Sequence, residues 1–123
     1  MLLDLAIIGV SGSFGAISRY LVYLGFRSRI QTEFPFATLS INVLGCLIMG
    51  IFMGWVERKV PLHRHLFLVG SVGFLGSFTT FSTFGFETLQ LIRENSWGLA
   101  ITNAGANVVL GLIAVWLGRA LTA

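Results

Sequence analysis

Charge is what this sequence has least of. Only 11% of its 123 residues are Asp, Glu, Lys or Arg, where an ordinary soluble domain carries about a quarter. Hydrophobic residues make up 55%, and the mean hydropathy is +0.87. So short a chain cannot hide that much apolar surface in a core of its own, because small domains leave a large share of their surface exposed. A soluble domain is excluded on that ground, and the apolar surface must meet lipid. Cysteine is all but missing as well. Cys46 stands alone inside an apolar run, which excludes a disulfide framework within one chain and reads as a small apolar filler. The net charge of +3 comes from 8 cations and 5 anions. Nucleic-acid binders cluster their cations on one face; here most cations sit at the ends of apolar runs, as interfacial anchors do. Also lacking are a glycine-rich phosphate loop, a nucleophile elbow and paired carboxylates, so nothing points to an enzyme. His63 and His65 flank an arginine in a polar connection and lack the further donors a metal would need; they read as solvated.

What is present is length without charge. A helical span needs about 20 mostly apolar residues, and four stretches supply them, at approximately 5–26, 34–56, 66–92 and 97–118. Membrane strands would be about half as long and would alternate strictly, so the expected fold is all-α and integral to the membrane, one domain over residues 1–123. Asp4 stands where a cleaved signal would carry basic residues, and the apolar run continues past any small-residue site, so the first span is expected to stay in the mature protein. The connections 27–33, 57–65 and 93–96 are short, which makes consecutive helices antiparallel neighbours and puts both termini on one side. That side carries Arg58, Lys59, Arg64 and Arg119; the other carries Arg27, Arg29 and Arg93. Orientation follows the Lys/Arg bias of the loops, and four against three is hardly a bias. A chain that inserts both ways can form an antiparallel homodimer with its two-fold axis in the membrane plane, the symmetry that inverted-repeat transporters build into one chain.

Glycines recur at close spacing: Gly9, Gly12 and Gly15; Gly50 and Gly54; Gly70, Gly73 and Gly76. In lipid such small residues let helix backbones approach, so close packing within or between subunits is expected. The segment from Gly76 to Phe84, in the middle of the third span, holds five hydroxyls and three phenylalanines. Ser and Thr compete for backbone hydrogen bonds and Gly76 adds freedom, so a break or an unwound turn is expected. Backbone of that kind is tolerated at membrane depth only where protein buries it or it lines a cavity, and its freed carbonyls suit a cation. Phe78, Phe81 and Phe84 are three apart and would share a face of a regular helix. The positive edges of their rings and the hydroxyls of Thr80 and Thr83 could hold an anion weakly; equally, the rings could face lipid and the hydroxyls bond back to the helix. Asn42, Asn103 and Asn107 are intramembrane amides, costly without partners and therefore expected inside the bundle, as interhelical glue or as anion donors. Thr38 lies one turn from Asn42, and Asn103 one turn from Asn107. Arg19 is the one arginine well inside a span, and Glu87 follows the third uncharged run; interfacial anchoring is the expectation that weighs more for both.

These residues fall into four ordered motifs. They are Gly12–Tyr20 in span one, Phe34–Gly45 in span two, Gly73–Phe84 with Glu87 in span three, and Ala106–Leu112 in span four. Over nearly its whole length the chain resembles the CrcB/Fluc fluoride channels, most specifically in the third motif. The resemblance implies a dual-topology homodimer with two antiparallel pores, through which fluoride leaves the cytoplasm passively across the inner (plasma) membrane and the cell gains fluoride resistance. It implies that Phe81 and Phe84 line the pore, that Asn42 is its asparagine, and that Thr38, Thr80, Thr83 and Asn107 add polar lining. It implies a structural Na+ at the dimer interface, held by backbone of Gly76 and Thr79. Arg19 and Glu87 match the family's recurrent arginine and glutamate, with electrostatic roles. Asn103 departs from the pattern, standing where the family more often has tyrosine. The physics agrees: fluoride holds its water tightly, so a pore must replace that water with many donors, each weak enough to release the ion.

Two rivals fit the length and span count. A chain similar to a small multidrug exporter would exchange protons for cations at a carboxylate deep in the membrane, and the span cores lack one, since Asp4 and Glu87 lie toward ends. A non-transporting scaffold would tolerate replacement of the polar side chains on spans two, three and four.

Overall fold

The computed structural model describes residues 1–58 and 64–122. All regular structure among them is helical, and four stretches are long and apolar enough to cross a membrane: Leu2–Arg27, Phe36–Arg58, Arg64–Arg93 and Trp97–Ala120. The first, second and fourth are the single helices α1 (Leu2–Arg27), α2 (Phe36–Arg58) and α6 (Trp97–Ala120). The third is composite. A short α3 (Arg64–Phe67) leads into a π-helical stretch at Leu68–Leu75, then α4 (Gly76–Phe78), a gap, and α5 (Phe81–Arg93). Lys59 and His63 lie outside the described residues; His65 is exposed, 3.8 Å from Asp4.

Helix ends follow local chemistry. Pro35, which has no N–H to leave unpaired, opens α2 by accepting from the Leu39 N–H. Between α5 and α6 the chain reverses in three residues. Asn95 takes a left-handed φ of 59°, and the N–H groups of Asn95 and Ser96 return to the carbonyls of Ile92 and Leu91. That pair of bonds is a Schellman closure, with asparagine where glycine is commoner. Arg64 meets Asp4 at 2.7 Å and Arg119 meets Glu57 at 2.6 Å. Those pairs gather the start of α1, the end of α2, the start of the third span and the end of α6 at one side, as the short connections require.

The bundle closes on glycine. α2 packs along α6 and α1 along the π-helical stretch. A Cβ on Gly118 would strike the Leu47 carbonyl, one on Gly50 the Val115 carbonyl, and one on Gly15 the Phe74 carbonyl. Backbone touches backbone at these crossings, as small residues permit in lipid. The apolar core is correspondingly thin: Ile41, Val56, Leu75, Phe78, Leu91, Ala100 and Ala114. Large side chains such as Phe14, Trp97, Ile101 and Trp116 point outward, leaving extensive apolar surface for lipid or for further protein.

The break in the third span falls at Thr79 and Thr80, both extended (ψ 159° and 116°). Gly76 is ordinary right-handed helix (φ −62°, ψ −31°), so its conformational freedom is not what opens the chain. Instead the turn is held from outside and capped from within. Asn42 Oδ1 accepts the Thr80 N–H at 2.9 Å and Asn42 Nδ2 donates to the Thr80 carbonyl at 3.1 Å. Thr80 Oγ1 then caps α5, accepting from the Thr83 N–H at 3.2 Å, a standard use of threonine at a helix start.

Candidate functional site

An open groove of about 300 Å³ runs past the break, lined by Asn42, Thr79, Thr80, Phe81, Phe84 and Asn107 among others, none of its described lining residues being charged. The break decides which ring goes where. Phe78 ends α4 buried and stacked on Phe74, the ring centroids 5.9 Å apart. Phe81 and Phe84 begin α5 with centroids 5.4 Å apart and planes tilted by 58°. The face that a regular helix would share among the three is therefore split, and Phe78 belongs to the core. Phe81 is 82% exposed, an open side for the groove. Cys46, expected as buried filler, is half-buried and lines the groove.

Asn42 is more than a donor lying free in the groove. Besides its paired bonds to Thr80, its Nδ2 donates to Asn107 Oδ1 at 2.9 Å. Asn107 Nδ2 donates in turn to the side-chain and backbone oxygens of Asn103, each at 3.0 Å. Asn103 Nδ2 donates to Thr88 Oγ1 at 2.9 Å, and that hydroxyl donates to the Phe84 carbonyl at 2.8 Å. The three amides thus satisfy one another across α2, α5 and α6, as buried polar groups must.

A second polar cluster lies one turn along α2. Glu87 Oε1 lies within hydrogen-bonding reach of the Tyr23 hydroxyl at 2.9 Å and of Thr38 Oγ1 at 2.8 Å, and the two hydroxyl oxygens lie against each other, so their two hydrogens are shared among the three contacts. Glu87 Oε2 is buried and has no hydrogen-bond partner among the described residues. Glu87 sits inside the third span, six residues before its end at Arg93, and its carboxylate turns toward α1 and α2. Arg19 Nη1 reaches across to the Thr79 carbonyl at 3.4 Å. Both side chains thus find polar partners on neighbouring helices, as ionisable groups within spans generally do.

Four antiparallel spans, a polar break in the third and a groove of amides, hydroxyls and aromatic rings form one pattern. Residues 6–119 match the family described as CrcB-like protein, Camphor Resistance (CrcB). The chain belongs to the CrcB-like family. Its relatives include proteins named fluoride-specific ion channel FluC. One from Saccharophagus degradans is 42% identical over 118 residues, covering 94% of this chain and 86% of the relative. One from Nitratidesulfovibrio vulgaris is 39% identical over 118 residues, covering 93% and 92%. One from Acidobacterium capsulatum is 37% identical over 111 residues, covering 90% and 89%. These relatives are named for conducting an ion, and the CrcB-like chain is a multi-pass membrane protein and not an enzyme.

In this CrcB-like chain the residues expected at a site fall into two groups. Asn42, Thr80, Phe81, Phe84 and Asn107 gather at the groove, with Thr83 joined to Thr80 by a hydroxyl bond of 2.9 Å. Thr38 is apart from them, fully buried against Glu87 and Tyr23. Two contributors escaped the sequence: Tyr23 and Thr88. Tyr23 stands one turn beyond Arg19, so a hydroxyl on the inward face of an arginine-bearing span was the available signal. Thr88 adjoins Glu87, and nothing local marked it as the terminus of an amide chain.

Proposed function

We propose that two copies of this chain assemble antiparallel into a passive, fluoride-selective channel of the plasma membrane, with two pores that let fluoride leave the cytoplasm. What carries the reading is the uncharged groove in which Asn42, Thr80 and Asn107 face the rings of Phe81 and Phe84. Ring edges, hydroxyls and amide N–H groups replace an anion's water piecemeal, and because none of the described lining is a fixed cation, each site holds the ion weakly enough to pass it on. The exposed side of Phe81 is where a second copy would complete the wall. The names of the relatives support fluoride as the ion and favour neither an exporter nor a scaffold.

Sodium would have a half-site here. The Thr80 N–H, which would serve the Gly76 carbonyl in an unbroken helix, goes to Asn42 instead, and Gly76 is exposed. The carbonyls of Gly76 and Thr79 fit a hard cation, which takes several oxygen ligands, and the equivalent pair of a second copy would supply the remainder. Bound sodium would supply positive charge against the carbonyl dipoles of both breaks. Arg19 also donates to the Thr79 carbonyl, so sodium would share that oxygen with the guanidinium.

Fluoride efflux from liposomes carrying the purified protein tests the proposal, with a potassium ionophore present and chloride as the control anion. Fast fluoride release without chloride release is expected. A folded protein that releases neither anion would overturn the proposal.

A further inference from the structure

The hydrogen bonds around Asn42 form a directional chain. Donation runs from Asn42 to Asn107, to Asn103, to Thr88, to the Phe84 carbonyl. Each amide's orientation is dictated by the next. The two ends are fixed by backbone groups with one role each: the Thr80 N–H only donates, to Asn42 Oδ1, and the Phe84 carbonyl only accepts. Both amide hydrogens of Asn42 are therefore committed, one to the Thr80 carbonyl and one to Asn107 Oδ1.

An anion in the groove can reach an Asn42 N–H only by replacing one of those acceptors. The Thr80 contact is paired, N–H and carbonyl together, and holds the helix break. The Asn107 contact is a single side-chain bond, and Asn107 itself lines the groove. Asn107 Oδ1 is the acceptor that can give way. What keeps it in place is Asn103, which takes the Asn107 Nδ2 on two oxygens and is anchored by Thr88. Asn103 is 0% exposed and does not line the groove.

We propose that Asn103, anchored by Thr88, is a positioning residue that turns anion entry into a competition: it holds Asn107 on Asn42, so that only an anion accepting hydrogen bonds more strongly than an amide oxygen takes the Asn42 N–H. The inference rests on the fluoride-channel reading and deepens it. Fluoride is a small and strong acceptor; chloride is larger and weaker. The amide chain thus discriminates between the two without a charged residue in the described lining.

The chain has four asparagines, Asn42, Asn95, Asn103 and Asn107, so the full-length protein labelled with 15N-asparagine and reconstituted in lipid gives four side-chain amide signals. Fluoride titration is expected to move the signals of Asn42 and Asn107 and also that of Asn103, which no anion in the groove touches. Chloride at equal concentration is expected to leave Asn103 unmoved. A fluoride response confined to Asn42 and Asn107, or absent from all three, overturns the proposal.

Flux gives an independent readout. Asn103→Leu, close in size and without hydrogen bonding, is expected to lower the fluoride-over-chloride flux ratio roughly tenfold, the worth of about one net hydrogen bond, while fluoride still passes. Thr88→Val is expected to move the ratio the same way with Asn103 intact, and Thr88→Ser to restore it. Should Asn103→Leu fail to fold, Thr88→Val and the titration of the unaltered protein decide. Folded variants that keep the original ratio overturn the role of Asn103 and leave the fluoride channel standing. An unaltered protein that passes no fluoride brings down both.

Discussion

Asn42 makes three hydrogen bonds across two helix boundaries, two to the backbone of Thr80 and one to Asn107. It both shapes the groove and lines it. Replacing it with alanine leaves the Thr80 N–H and carbonyl without their partner in a partly buried turn, and an unsatisfied backbone group of that kind costs about 1–3 kcal/mol. It also removes an N–H that the proposed route offers to a passing anion. A hydrogen bond to a charged group contributes about 1.5–3 kcal/mol, and losing that at the barrier slows passage by roughly ten- to a hundredfold. Asn42→Ala is therefore expected to lower the melting temperature in detergent and to cut initial fluoride efflux from liposomes by at least that lower factor. Efflux at the unaltered rate would remove Asn42 from the route. That Asn42 belongs inside the bundle was legible, because an amide at membrane depth must find partners. That its N–H groups are already taken was not legible, because the takers come from two other helices.

Among the elements, α2 and α6 depend most on what is missing from their side chains. Gly50 on α2 and Gly118 on α6 stand against each other's helix backbone, so a side chain at either position forces the helices apart. Overpacking of that kind ordinarily costs about 1–3 kcal/mol. Gly98, in the first turn of α6, has nothing within 4 Å of a Cβ, and alanine is the better helix former there. Gly118→Val is expected to reduce the folded yield and melting temperature, and Gly98→Ala to leave both unchanged or slightly higher. Equal effects would mean that the close crossing does not hold the bundle together. The four spans were readable from hydropathy alone, because lipid imposes length and apolarity together. The existence of a break was readable too, from the density of Ser and Thr around Gly76. Its position was not: Thr79 and Thr80 open because Asn42 reaches them from α2, while Gly76 stays helical. Phe78 followed suit, since a three-residue spacing predicts a shared face only if the helix is continuous. The partners of Arg19 and Glu87 were not readable, because hydropathy sees a charge near a span's end but not the Thr79 carbonyl, Tyr23 and Thr38 on other helices that it meets.

The whole molecule carries little instruction about which way to face. By their order in the sequence, Arg58, Lys59, Arg64 and Arg119 count toward the side of the termini, and Arg27, Arg29 and Arg93 toward the other. Arg64 and Arg119 are ion-paired with Asp4 and Glu57, but topology follows the count of Lys and Arg and hardly registers acids. A chain so balanced is expected to insert in both orientations, which is what an antiparallel pair requires of a single gene product. A tag after the C-terminus should then be accessible from both faces of the membrane in intact cells. Shifting the balance tests whether both orientations are needed. Two lysines added beside the termini should draw that side to the cytoplasm, and Arg27→Ser with Arg29→Ser should reinforce the choice. Lysines added instead near Thr32 should fix the reverse. Each locked form alone is expected to fold but to lose most fluoride efflux, for want of an opposed partner. Produced together, the two forms are expected to recover it. Full efflux from one locked form would show that a parallel pair or a single chain suffices, and would place the second wall beside Phe81 somewhere other than on an inverted copy.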